Sequence, residues 1–233
     1  MGNDGGPTTC ESIVDGPDED RIREPLPAID RDQQARLLGS LLKGVSRSFY
    51  LTLRVLPLGL RLPVGLAYLL ARAADTIADT SLISPELRRE FILVFRSQVK
   101  GPAKLDALRR MEEELTDLQT IPKEKELLTS LPAAFSLLES MHEPDAAMVR
   151  SVLVTLSLGM EMDLATFPPE DSGTVEALED EAALDRYIYL VAGCVGEFWT
   201  HLTRTHCGSL VTWRMRWVHV ASTPSSPPCG SAG

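Results

Sequence analysis

Acidic residues stop at Glu197; the stretch that follows holds no Asp or Glu, although the whole chain of 233 residues carries a formal net charge of −10. Aromatic residues are scarce at 6%, while Leu and Ala abound, which excludes an aromatic-rich all-β sandwich and favours helices. No run of about 20 largely apolar residues is present, so no membrane span is expected. The longest apolar stretch, Val55 to Ala71, is interrupted by Pro57, Arg61 and Pro63. That leaves room only for loose, peripheral contact with the inner face of a membrane. The N-terminus lacks the basic-then-apolar pattern of a secretory leader. Cys10, Cys194, Cys207 and Cys229 form no CxxC pair and no metal-finger spacing, which predicts free thiols and a cytoplasmic location. The negative charge argues against nucleic acid as a partner.

What remains is an ordinary globular mixture, 44% hydrophobic and 24% charged, enough for one sizeable core. Residues 1–32 hold nine acids against three arginines and so carry six of the ten net negative charges. Residues 1–30 are an acidic, Gly- and Pro-rich segment expected to be disordered. From Arg31 the apolar spacing is helical. It predicts helices over 31–43, with Gly44 as the stop, 46–56, and from Pro63, placed in a first turn, to about Asp79. Ser84-Pro85-Glu86 is a clear helix start, and further helices are expected at about 85–99, 103–119, 123–140, 144–166 and 180–206. No stretch alternates with period two, so the expected domain, 31–206, is all-α.

The end of the chain differs in composition. All three tryptophans (Trp199, Trp213, Trp217) and three of the four histidines follow Glu197, and residues 221–233 use only small residues, Pro and Thr. Such a segment cannot build a packed helix. We expect an atypical tail over 207–233, disordered and derived from a shifted reading frame or a truncated gene.

Three segments carry chemistry. In the first, Tyr68, Arg72, Asp75 and Asp79 fall at i, i+4, i+7 and i+11 and share one face of an otherwise apolar helix. Two carboxylates one turn apart repel each other unless a cation intervenes, and Mg²⁺ suits such a pair because it completes its shell with substrate phosphates. The alternative is that Arg72 simply pairs with Asp75 while Asp79 is exposed at the helix end. In the second, Lys43 to Tyr50 places Ser46, Arg47 and Ser48 at a helix start, suited either to a phosphate or to plain capping. In the third, Asp185 to Gly196 sets Ala192, Gly193 and Gly196 in a helix, where small residues allow close approach of a ligand or of another helix.

Together and in this order, these segments resemble the squalene/phytoene synthase family, the trans head-to-head prenyl synthases, and within it the bacterial squalene synthases of hopanoid or sterol pathways. The matching residues are Ser46–Tyr50, Tyr68–Asp79, Gly159-Met160 with Asp163, and Tyr187–Gly196, within roughly residues 32–206. The resemblance implies an all-α isoprenoid-synthase-type helical bundle around a central cavity that accepts two molecules of farnesyl diphosphate, in a chain expected to be a monomer. It implies Asp75 and Asp79 as Mg²⁺ ligands, and Ser46, Arg47 and Arg72 as diphosphate-binding residues. Tyr187, Arg72 and Tyr68 would be catalytic, with Tyr187 handling protons near the carbocation, and Phe49, Val191 and Gly193 would line the cavity. NADPH would serve a full squalene synthase. A phytoene synthase-like or presqualene diphosphate synthase activity would not need it, and a non-catalytic helical interaction protein would need neither cofactor.

The family's second aspartate motif has no counterpart after the Val191-Ala192-Gly193 segment, so the helical bundle is expected to be incomplete at its C-terminal end. The nearest substitute is Glu161 with Asp163, while Glu181 and Asp185 read as a solvated face. Ala78 stands where some members of the family carry an acid.

Overall fold

Asp30 opens the first helix: its carboxylate accepts the Gln33 amide at 2.7 Å while the Gln33 side chain accepts the Asp30 amide at 3.1 Å. This reciprocal cap satisfies two otherwise orphaned donors. The computed structural model describes residues 24–46, 49–168 and 172–207. Among them the elements are α1 (Arg31–Arg36), α2 (Leu42–Ser46), α3 (Phe49–Val55), α4 (Leu58–Ala78), α5 (Pro85–Lys100) and α6 (Leu105–Leu115). There follow α7 (Pro122–Thr129), α8 (Leu131–Ser140), α9 (Glu143–Thr166), α10 (Glu181–Ile188) and α11 (Cys194–His206). Two wide, π-type turns, Leu37–Leu41 and Tyr189–Gly193, join α1 to α2 and α10 to α11. No strand occurs among the described residues, and the fold is all-α.

Several boundaries differ from the expected ones for local reasons. Gly44 does not stop a helix: a Cβ there would lie 2.7 Å from Lys123 Cδ, so the glycine admits the side chain of α7. Pro63 lies inside α4 rather than in its first turn, since the helix begins at Leu58 after Pro57. The expected single helix over 123–140 is two, because Pro132 cannot donate its amide back into α7. Ser84 caps α5 as expected, its hydroxyl accepting the Leu87 amide at 3.3 Å. Residues 24–29 have no regular structure, yet Leu26 and Ile29 pack on the core and Glu24 pairs with Arg109. Residues 1–23 and 208–233, which hold most of the acidic segment and the atypical tail, lie outside the described residues.

Helix α4 is the axis of the core. Leu66, Leu69, Leu70, Ala73 and Ile77 have no exposed surface, and each large side chain so buried contributes about 1.5–3 kcal/mol. Phe95 of α5 meets Phe135 of α8 edge to face at 5.7 Å.

Side-chain contacts fix the helix directions. Arg89 and Arg96 of α5 reach Glu161 of α9, while Arg150 of α9 donates to the Val99 carbonyl, so α5 and α9 are antiparallel. His206 at the end of α11 meets Asp145 at the start of α9 at 2.8 Å, and Leu190 and Val191 lie against Gly159. The chain from Leu190 to His206 therefore runs antiparallel to α9 as well. One end of the bundle thus gathers the C-termini of α4 and α9, the N-terminus of α5 and the end of α10. No helix among the described residues is long and apolar enough to cross a membrane.

Candidate active site

A cavity of about 1020 Å³ opens at that end of the bundle. Its charged walls are Asp75 and Asp79 of α4, Asp163 of α9 and Arg88 of α5, and its apolar walls include Leu156, Met160, Leu164, Phe167 and Val191. Tyr187 completes it. Two helix C-termini point their carbonyls here, and a carboxylate at the negative end of a helix dipole is unfavourable until a cation arrives. Asp79 is further disfavoured as an anion by its surroundings. Partial desolvation in the cavity wall and then the neighbouring Asp75 charge raise its pKa, with only partial relief from Arg72.

Arg72 forms the ion pair that its spacing allowed. One guanidinium nitrogen donates to Asp75, and the other donates to Glu124 of α7 at 2.7 Å. Asp79 is the C-cap of α4 and is exposed to the open cavity. Both features of the plain structural alternative are therefore present, yet the two carboxylates also share one cavity wall. Tyr68 lies one turn before Arg72 and stacks on Phe49, ring centroids 4.6 Å apart. Burial raises its pKa, so its phenol stays protonated.

Tyr187 donates its hydroxyl to Asp163 Oδ1 at 2.7 Å and meets Phe167 edge to face at 5.6 Å. The bond to Asp163 is the leading cause that raises its pKa. Glu161 turns away from Asp163 and is taken by Arg89 and Arg96. The Glu161–Asp163 pair therefore does not act as one unit in the cavity.

Other anticipated residues sit elsewhere. Ser46 is buried and its hydroxyl donates to the Leu42 carbonyl at 2.5 Å, so it does not present a free donor. Arg47 lies outside the described residues. Val191 is in the cavity wall, whereas Phe49, committed to Tyr68, and Gly193 are not. A Cβ on Gly193 would meet only its own helix at Tyr189 and Ile188, and one on Gly196 would meet nothing within 4 Å. The close approach falls instead at Gly159, where a Cβ would stand 3.1 Å from Val191 and 3.2 Å from the Leu190 carbonyl carbon.

Arg88 and Glu124 were not singled out by sequence. Each lies in a charged helical stretch indistinguishable from a solvated surface, and only the packing of α5 and α7 beside α4 brings them to the site.

Comparison with known proteins identifies the family and the fold. The family model for squalene/phytoene synthase matches residues 42–218. The squalene synthase of Eremothecium gossypii is 30% identical over 184 residues, covering 78% of this chain and 39% of that protein. That of Yarrowia lipolytica is 26% identical over 184 residues, covering 78% and 38%. The solved structure of TcSQS with the ligand E5700 superposes with a TM-score of 0.56 at 22% identity, covering 75% of this chain and 45% of that one. The TcSQS complex with BPH1237 gives the same TM-score and identity, covering 76% and 46%. Those structures share the fold, and the chain spans about two fifths of the length of the curated relatives it matches. With the family model covering most of its length, and with Asp75–Asp79, Gly159–Asp163 and Tyr187–Val191 meeting at one end of an all-α bundle, the chain belongs to the squalene/phytoene synthase family.

Proposed function

We propose that the chain is a prenyl transferase that joins two molecules of farnesyl diphosphate head to head. The product would be presqualene diphosphate and, with NADPH as reductant, squalene. The observation that carries this reading is the meeting of Asp75, Asp79 and Tyr187 in a single cavity whose walls are part charged and part apolar. A volume of about 1020 Å³ is at the upper end for small-molecule sites, as two long isoprenoid chains would require.

The donor set fits magnesium. Asp75 and Asp79 offer hard oxygens on one helical face at the negative end of α4, and Asp79 is a carboxylate whose ionised form is under strain. Magnesium commonly takes one or two carboxylates and completes its shell with water and substrate phosphates. Asp75 and Asp79 would hold this ion, and when bound it supplies neutralisation of the charge that accumulates on the departing diphosphate.

The remaining work falls to the protein. To serve as a ligand, Asp75 exchanges its Arg72 partner, and Arg72 is left anchored on Glu124. Leu156, Met160, Leu164 and Val191 keep water from the allylic cation. Phe167 and Tyr187 place aromatic rings in the wall beside it. Tyr187 is oriented by Asp163, whose carboxylate accepts its hydroxyl proton in a hydrogen bond.

The test is incubation with farnesyl diphosphate and Mg²⁺, with and without NADPH, followed by product analysis. Presqualene diphosphate without NADPH and squalene with it are expected, and Asp75→Asn with Asp79→Asn should lower turnover by at least about 100-fold. Presqualene diphosphate or phytoene-type product irrespective of NADPH would assign the non-reductive activity instead. Turnover unchanged by the double substitution would overturn the proposal.

A further inference from the structure

The cavity wall contains three carboxylates but, among the described residues, only one cationic side chain, Arg88. Resting on the reading of this cavity as a diphosphate site, we propose that Arg88 is a direct contact for the substrate's diphosphate, while Arg72 serves from behind, anchored to Glu124.

The two arginines differ in what their donors already do. Both terminal nitrogens of Arg72 are spent on carboxylates, Asp75 and Glu124, and Arg72 is not part of the cavity wall. Glu124 is only 15% exposed, so removing that partner would leave a largely buried carboxylate unpaired. Arg88 has no carboxylate within ion-pair distance among the described residues. Its Nη1 donates to the Ala78 carbonyl at 3.1 Å, its Nε is buried, and among the described residues neither Nε nor Nη2 has a hydrogen-bond partner. Ala78 immediately precedes Asp79, so the bond moors the guanidinium beside the carboxylate pair. A guanidinium with unspent donors, held at the rim of an acidic pocket, is the geometry that receives the oxygens of a phosphate ester. The Ala78 bond also explains why Arg88 does not collapse onto Asp79: it is held at the end of α4 by the same helix that carries the carboxylates.

The experiment is calorimetric titration of inorganic pyrophosphate into the full chain, with Mg²⁺ and separately with EDTA. Arg88→Gln should weaken binding about tenfold under both conditions, the loss of one charge-assisted contact. Arg88→Lys should recover part of it, since lysine restores charge but not the fork. Arg72→Gln should cost less than Arg88→Gln, and Asp79→Asn should weaken binding only with Mg²⁺. An Arg88→Gln chain within twofold of the unsubstituted one, while Asp79→Asn loses affinity, overturns the role of Arg88 alone. Asp79→Asn without effect overturns the magnesium–diphosphate reading, and absence of binding by the unsubstituted chain overturns both. Should Arg88→Gln fail to fold, ¹⁵N NMR of the unsubstituted chain decides the matter. Pyrophosphate should shift the Arg88 Nε resonance and leave that of Arg72 nearly unmoved; the opposite pattern refutes the assignment.

Discussion

Glu161 and Asp163 stand two residues apart on α9 and therefore face opposite sides of the helix. Glu161 enters the seam between α9 and α5, where Arg89 and Arg96 bind its two oxygens and, chiefly through Arg96, hold its pKa below the usual carboxylate range. Asp163 enters the cavity, where its one recorded partner is the neutral hydroxyl of Tyr187. The first carboxylate has its charge compensated inside the fold. The second, with Asp75 and Asp79, leaves a surplus of negative charge in a partly desolvated pocket. Stability is concentrated in the seam and binding capacity in the cavity, so substitutions on the two sides should separate cleanly.

The largest expected effect is in the seam. Glu161→Gln leaves the buried Arg96 guanidinium without its counter-charge and should cost about 3 kcal/mol in urea unfolding at neutral pH. Because the folded pKa of Glu161 is lowered, its contribution is fully present above the unfolded value of about 4.3 and is lost as pH falls through the folded one. The gap between the unsubstituted chain and Glu161→Gln should therefore close on acidification; a gap independent of pH would mean that charge is not what holds the seam.

Next is the join between the two regions. Gly159→Ala forces a methyl toward the Leu190 backbone, which cannot swing aside, and should cost about 1 kcal/mol despite the better helix propensity of alanine. A stabilised variant would show that the Tyr189–Gly193 turn yields easily.

On the cavity side the effects on stability should be small. Asp163→Asn should change unfolding free energy by less than about 1 kcal/mol, but should let the Tyr187 phenol titrate at lower pH, toward the usual value near 10. Phenol titration by ultraviolet difference spectroscopy reads this, and an unmoved Tyr187 would break the assigned pair. Smallest of all, Asp79→Asn should slightly stabilise the metal-free chain at neutral pH. A carboxyl with a raised folded pKa favours the folded state below its unfolded pKa, and that advantage is lost as pH rises through the folded value. Thermal melts of the two chains should converge at acid pH; a destabilised Asp79→Asn chain at neutral pH would contradict the charge surplus.

Much of the fold was legible because its signals are local. The Ser84-Pro85 start and the apolar spacing of α4 and α9 each depend on residues within a turn or two of one another. The helix breaks were less legible. Gly44 reads as a stop in isolation, and only Lys123, distant in sequence, explains why it is a point of contact instead. At the site, the i, i+4, i+7, i+11 pattern placed Tyr68, Arg72, Asp75 and Asp79 on one stripe, and the stripe is real. It did not reveal that α7 would supply Glu124 to hold Arg72, or that the cavity would begin past Arg72.

The sequence by itself determined the all-α class, which face of α4 is polar, and the family to which the chain belongs, because periodicity and short motifs are properties of neighbouring residues. Tertiary packing alone decided which charges are neutralised and which are left for a ligand. Arg72 and Arg88, Glu161 and Asp163 are alike as residue types, and what separates them is which other helix lies within about 3 Å of each side chain, the range over which a charge-assisted hydrogen bond forms.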